Sequence, residues 1–203
     1  MKLVYGTTNQ AKIHFMKRRV KRLDIEILSL EDVGAPRFNI EECGKNQLEN
    51  ARIKAHAYYK ALNMPVFSCD SGLYIEGLDD ARQPGINIRG PGDRMDDNEA
   101  IDYYTSLATE FGGFMAARYQ NAICLVADNT RYFEYMGDEI ASERFYIVTR
   151  PHEKRVKGFP IDSISVDIES GLYYYDIEGH EEKYINDCYV AFFEMVLTEL
   201  QMG

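Results

Sequence analysis

The sequence predicts an α/β fold in which helices flank a mixed β-sheet. Two observations carry this: βα units open the chain, and a run of antiparallel-type strands fills its second half. Between and after them, apolar residues recur at helical spacing. With 203 residues, 45% of them hydrophobic, the chain can form one large domain or two lobes sharing a core.

Residues 2–6 (KLVYG) read as a buried first strand. Thr7, Thr8 and Asn9 follow as a turn that can cap a helix running from Gln10 to about Arg22. Ile13, Met16 and Val20 mark its buried stripe, so most of the charges Lys17, Arg18, Arg19, Lys21 and Arg22 fall on a solvated face, with Lys12 one turn in. A short strand at 25–28 leads to a loop containing Gly34 and Pro36. Leu48, Ala51, Ala55, Tyr58 and Leu62 then predict a helix over 45–62.

Residues 65–68 and 73–76 read as strands on either side of a CDSG turn, and 78–95 as a long Gly, Pro and Arg-rich loop of the kind that carries function. A helix over 96–109 precedes strands at 116–127, 132–135 and 139–148, expected to form an antiparallel meander. A turn at 158–162, a strand at 164–166 and an amphipathic helix over 181–200 complete the chain. A cleft between two lobes of such a fold is the natural place for a ligand.

The net charge of −10 argues against a general nucleic-acid binder, which needs a basic face to displace counterions. No apolar run reaches 18 residues, so the expectation is a soluble, cytoplasmic protein with no membrane partner. Cys43, Cys69, Cys124 and Cys188 form neither a CxxC pair nor a Cys/His ligand pattern, which suggests reduced thiols rather than zinc or disulfides.

Thr7, Thr8 and Asn9 stand where free N–H groups and the helix dipole favour an anion, and Lys12 points to the same place. The same residues also make an ordinary N-cap. Glu41 and Glu42 precede the second helix, and Asp70 comes from a different element. Such convergence suits magnesium, which takes one or two carboxylates plus phosphate oxygens and water; capping or solvated acids are the plain alternative. Lys54, Arg89 and Lys183 are cations a triphosphate could gather, or simply surface charges.

The order of motifs is more specific than any one of them: TTNQAK at 7–12, LENARIKA at 48–55, DSGL at 70–73, PGI at 84–86, GFPID at 158–162 and EEK at 181–183. Taken together the chain resembles the inosine triphosphate pyrophosphatase family across most of its length, less closely after residue 158. The resemblance implies a two-lobed α/β fold with a long mixed central sheet flanked by helices and an active-site cleft between the lobes. Residues 1–203 would form one nucleoside triphosphate pyrophosphatase-like domain, usually a homodimer, that uses Mg²⁺ to cut a triphosphate to monophosphate and pyrophosphate.

By the same resemblance, Thr7, Thr8, Asn9 and Lys12 bind the triphosphate, and Lys54 and Lys183 hold phosphates. Glu42 and Asp70 bind metal, Asp70 also accepts the proton, and Ser71 lies beside the substrate. Arg89, Phe159 and Asp162 complete the expected substrate contacts; Phe159 could stack on a base or be a plain core residue.

Three departures from the family pattern stand out. Cys69 replaces the first of two adjacent acids, and a thiol is a poor ligand for a hard cation. Pro160 and Ile161 replace a glycine and an aromatic residue. Asp187-Cys188-Tyr189 replaces Ser-His-Arg, whose His and Arg donate hydrogen bonds near the purine 6-oxo group. The expected substrates are deaminated or modified purine triphosphates such as ITP, XTP or dITP, with selectivity over ATP reduced or replaced. The competing expectation is a nucleotide-binding or sensing protein of the same fold with impaired turnover; a third keeps hydrolysis but releases diphosphate and orthophosphate.

Overall fold

The computed structural model describes residues 1–36, 39–90, 94–178 and 188–202. The order of elements is mixed α/β, with one seven-stranded sheet in the order β2-β1-β3-β4-β6-β7 and β5 paired to β4 off that path. The strands are β1 (Lys2–Tyr5), β2 (Glu26–Leu28), β3 (Val66–Ile75), β4 (Phe114–Val126), β5 (Tyr132–Tyr135), β6 (Phe145–Val148) and β7 (Ser165–Asp167). The helices are α1 (Gln10–Arg19), α2 (Gln47–Leu62), α3 (Asp97–Glu110) and α4 (Cys188–Met202).

The sheet is parallel at one end, where β1 pairs with β2 and β3, and antiparallel where β4 pairs with β5 and β6, and β6 with β7. The chain divides into two compact units. Unit 1 comprises Met1–Ser71, Asn121–Ile140 and Asn186–Gly203, and unit 2 comprises Gly72–Gln120 and Ala141–Ile185. Strands β3 and β4 each contribute residues to both.

In unit 1 the period of two along β1, β3 and β4 sorts side chains onto two faces. Leu3, Tyr5, Phe67, Cys69, Ile123 and Leu125 pack with Ile13, Met16 and Val20 from the α1 segment and with Tyr189, Phe192, Phe193 and Val196 of α4. The alternate positions Val4, Val66, Cys124 and Val126 meet α2 through Ala51, Ala55 and Tyr58. Helix α2 is bounded by local chemistry. Asn46 accepts the N–H of Glu49 at its start, and Asn63 adopts a left-handed conformation (φ 50°) at its end.

In unit 2, Leu73 and Ile75 pack with Ile101, Tyr104, Leu107 and Ala108 of α3, with Phe145 and Ile147 of β6, and with Ile161 and Ile164. Each such fully buried large apolar side chain contributes roughly 1.5–3 kcal/mol. Helix α3 starts with a reciprocal capping box between Asp96 and Glu99.

Four sequence expectations are corrected. CDSG is not a turn: β3 runs unbroken through it, because its flanks are held in the sheet beside β1 and β4. Residues 139–148 are not one strand, since a 3₁₀ turn at Asp138–Ile140 precedes β6. Nor is there a simple meander. The 13 residues of β4 are long enough to take β6 along Phe114–Ala117 and β5 along Ile123–Val126, so β5 and β6 both pair with β4. Arg19 is not solvated but only 8% exposed, its guanidinium 3.7 Å from the centre of the Phe15 ring and 5.4 Å from that of Tyr189. Of the closing helix, 181–187 lie outside the described residues.

Candidate active site

The turn after β1 is held from three sides. The Gly6 N–H donates to the Phe67 carbonyl at 2.8 Å, and Ser68 Oγ donates to the Gly6 carbonyl at 2.7 Å. A Cβ at Gly6 would lie 2.8 Å from Ser68 Oγ and 2.9 Å from Tyr58 Cδ2, so only glycine lets β1 pass this close to β3 and α2. Thr7 Oγ1 accepts the Asn9 N–H at 3.2 Å. Asn9 Oδ1 accepts the N–H groups of Ala11 at 3.0 Å and Lys12 at 3.3 Å. The expected cap is therefore present. Lys12 is half-buried and has no ion pair among the described residues.

One helical turn of α2 builds the charged centre. Lys54 Nζ donates to Asp70 Oδ1 at 2.8 Å and to Glu42 Oε2 at 2.9 Å. The side chains of Lys54 and Asp70 are each 13% exposed, and that of Glu42 is 43% exposed. Burial works against the charge on Lys54, but the Asp70 and Glu42 carboxylates outweigh it and hold the ammonium's pKa above the usual lysine range.

Around this cluster stand Asn50, Arg52 and Asn121, to which the sequence assigned no role, and Ser71, to which it did. Asn50, one turn before Lys54 and 3% exposed, accepts the Gly44 N–H at 2.9 Å and so ties the Glu42 loop to α2. A Cβ at Gly44 would lie 2.6 Å from Asn50 Oδ1. Arg52 grips Glu134 of β5 with two hydrogen bonds, at 2.5 and 2.7 Å. Ser71 Oγ donates to Asn121 Oδ1 at 2.7 Å, and the Asn121 amide donates to the Ile140 carbonyl at 2.6 Å. The only sequence signal for Asn50 was its place inside LENARIKA; Asn121 had none.

The remaining expected site residues lie in unit 2, except Lys183, which falls outside the described residues. Arg89 is tied up locally: it pairs with Asp97 Oδ1 at 2.7 Å and donates to the Met95 carbonyl at 3.1 Å. The other Asp97 oxygen accepts the Gly158 N–H at 3.0 Å. That bond, opposed by burial and joined by Arg89, holds the Asp97 pKa below its usual range. Thus Asp97 braces the Gly/Pro loop and the start of GFPID together. Phe159 is half-buried. Burial first, and the Asp162 carboxylate second, push the phenol pKa of Tyr119 well up and that of Tyr175 up to about 12.

A model of the Ham1 family matches residues 3–159. The chain belongs to the Ham1 family. The dITP/XTP pyrophosphatase of Campylobacter jejuni subsp. jejuni serotype O:6 is 31% identical over 173 residues, covering 82% of this chain and 80% of that protein. The dITP/XTP pyrophosphatase of Rhodopseudomonas palustris is 35% identical over 129 residues, covering 61% and 60%. That of Aquifex aeolicus is 37% identical over 86 residues, covering 42% and 40%. The chain thus spans less than two thirds of the Aquifex and Rhodopseudomonas relatives it matches. A HAM1 protein from Coxiella burnetii superposes with a TM-score of 0.74 at 23% identity, covering 98% of this chain and 99% of that one. The Staphylococcus aureus Ham1 protein gives 0.69 at 23% identity, covering 96% and 98%. The resemblance to the inosine triphosphate pyrophosphatase family is borne out, and so is the α/β fold with its central sheet.

In this Ham1 chain the departures take physical form. Cys69 and Asp70 are neighbours on β3 and therefore point to opposite faces: Asp70 meets Lys54, while Cys69 joins the α1 and α4 core. The thiol lies beside the Tyr5 hydroxyl, and burial pushes its pKa up to about 11. Tyr189 is 6% exposed in the same core cluster, so two of the departures meet in one apolar layer. Ile161 is 1% exposed and packs in the unit 2 core. The side chains of Asp187 and Cys188 lie outside the described residues. Among the described residues no helix is long and apolar enough to cross a membrane.

Proposed function

We propose that the protein is a Mg²⁺-dependent nucleoside triphosphate pyrophosphatase that releases monophosphate and pyrophosphate, with a base pocket altered from the family pattern. It would therefore be a hydrolase acting on an acid anhydride, as the names of its relatives indicate. The observation that carries this reading is the Glu42–Lys54–Asp70 cluster, built from a loop, a helix and a strand of the unit that also holds the α1 N-terminus.

The donor set fits magnesium. Two hard carboxylates converge on one cationic point, and no group of three or more acidic, His or Cys ligands occurs among the described residues. An ion that takes its other oxygens from phosphate and water suits such a pair. Glu42 and Asp70 would hold it, and when bound it supplies charge that polarises phosphate oxygens.

The chain's own groups supply the rest. The helix dipole at the α1 start and the Lys12 ammonium attract phosphate oxygens; Thr7, Thr8 and Asn9 shape that turn, whose Ala11 and Lys12 N–H groups Asn9 already caps. Lys54 and Lys183 offset charge on the leaving pyrophosphate. Asp70 orients a water for in-line attack on the α phosphorus and takes its proton; only its Oδ1 is hydrogen-bonded among the described residues, which leaves Oδ2 for that task. Ser71 Oγ, its proton directed to Asn121, presents lone pairs as an acceptor. Phe159, Asp162 and Arg89 belong to the base and loop region, where deaminated or modified purines such as ITP, XTP and dITP are the first substrates to try. A cytoplasmic homodimer is the expected state.

The test is to incubate the purified protein and Mg²⁺ with ordinary, deaminated and modified triphosphates, and to quantify monophosphate, diphosphate, pyrophosphate and orthophosphate. Monophosphate and pyrophosphate in equal amounts are expected from at least one purine triphosphate. Nucleotide binding with no turnover of any member would overturn the enzyme reading, and diphosphate with orthophosphate would move the cut to the other anhydride.

A further inference from the structure

The ammonium of Lys54 stands where a divalent cation would balance Glu42 and Asp70, 2.9 and 2.8 Å from their oxygens. Resting on the pyrophosphatase reading above, we infer that Lys54 is an exchangeable internal counter-ion, which must leave Asp70 Oδ1 and Glu42 Oε2 before metal can engage those two oxygens. Metal and nucleotide therefore enter together rather than in independent steps.

The argument begins with which parts can move. Asp70 is carried by an unbroken strand of the central sheet. Glu42 lies two residues from Gly44, whose N–H is held by the buried Asn50 at 2.9 Å. Its loop is thus anchored to the same helix that carries Lys54. Of the three, Lys54 has the longest stem, four carbons ending in a freely rotating ammonium, so its charge has the widest reach to a new partner.

Charge balance gives the direction of the exchange. Two carboxylates and one ammonium leave one net negative charge, which the resting site tolerates without metal. A divalent ion at magnesium–oxygen distance, about 2.0–2.1 Å from the same oxygens, would lie against the ammonium with nothing between the like charges. A triphosphate relieves this, because its oxygens give the displaced ammonium a new partner. The two parts are neighbours within unit 1: Tyr58, one turn after Lys54 on α2, and Ser68, two residues before Asp70 on β3, both crowd Gly6, immediately before the Thr7–Asn9 turn.

The experiment measures metal binding to the intact protein without turnover. Mn²⁺ alone is titrated against wild type and Lys54→Met, with free ion followed by electron paramagnetic resonance and folding checked by thermal melting. The expected result is binding at least tenfold tighter to Lys54→Met than to wild type, abolished by adding Glu42→Gln. Without metal, the variant should melt below wild type and recover on addition of Mn²⁺. In case the apolar variant fails to fold, Lys54→Gln, which keeps a donor without the charge, should show the same direction of change. Equal or weaker Mn²⁺ binding by a folded neutral variant would overturn the inference. That outcome is distinct from failure of the pyrophosphatase reading, which is decided by the products formed by wild type.

Discussion

The two units treat their charged side chains in opposite ways. In unit 1, Lys54, Glu42 and Asp70 are gathered from three elements into a partly buried cluster, and the supports Asn50, Arg52 and Asn121 are engaged with other groups. In unit 2, Arg89 and Asp97 are spent on holding loops, and Ile161 and Ile164 pack with Phe145, Tyr119 and Tyr174. Under the proposed function, reaction chemistry needs a few charges held at fixed distances, which α2, β3 and the loop tied to α2 through Asn50 supply. By the same proposal, recognition of a base would fall to unit 2, where Pro160 and Ile161 are both buried and Ile161 packs in the core.

Four measurements test this contrast, in order of decreasing size of effect. Asp70→Asn should lower kcat by roughly 10²–10⁴-fold, the range for loss of a general base, while the melting temperature stays close to wild type. A variant with nearly wild-type kcat would remove unit 1 as the seat of the chemistry. Gly6→Ala places a methyl group 2.8 Å from Ser68 Oγ and 2.9 Å from Tyr58. It should cost about 1–3 kcal/mol in denaturant unfolding, by analogy with overpacked cores. Unchanged stability would mean that the approach of β1 to α2 is slack.

In unit 2 the effects should be smaller and should fall on binding. Phe159→Leu is expected to raise KM about fivefold, with kcat unchanged, if its ring stacks on the base with roughly 1 kcal/mol. No change in KM for any purine substrate would make Phe159 a packing residue. The smallest effect concerns acid stability. The folded pKa of Asp97 lies below its usual value of 3.8, chiefly through the Gly158 N–H and then Arg89, against burial. Its contribution is therefore present above that usual value and lost as pH falls through the folded value. Asp97→Asn should flatten the loss of wild-type stability below about pH 4; parallel acid-unfolding curves would show the brace to be energetically silent.

How much could be read from residue order alone follows the same division. Helix α2 was legible because Ala51, Ala55 and Tyr58 keep helical spacing and are buried. The α1 cap was legible because Asn9 acts within its own turn. The strand through Asp70 was not: Asp, Ser and Gly favour turns locally, and only the neighbouring strands override that preference. The faces of Cys69 and Asp70 depend on that same strand, since a turn would have sent their side chains elsewhere. Asn121 and Asp97 were invisible because their partners lie 50 and 61 residues away in the chain.

The thiols divide the molecule in a practical way. Burial pushes the pKa of Cys69 up to about 11 and that of Cys124 higher still, so at neutral pH neither offers a thiolate to a reagent. Cys43 is exposed, one residue after Glu42. With Cys188 replaced by serine, an alkylating fluorophore would select Cys43 of the three described thiols and place a dye beside the carboxylate loop, where its emission would report in real time the metal and nucleotide binding proposed above.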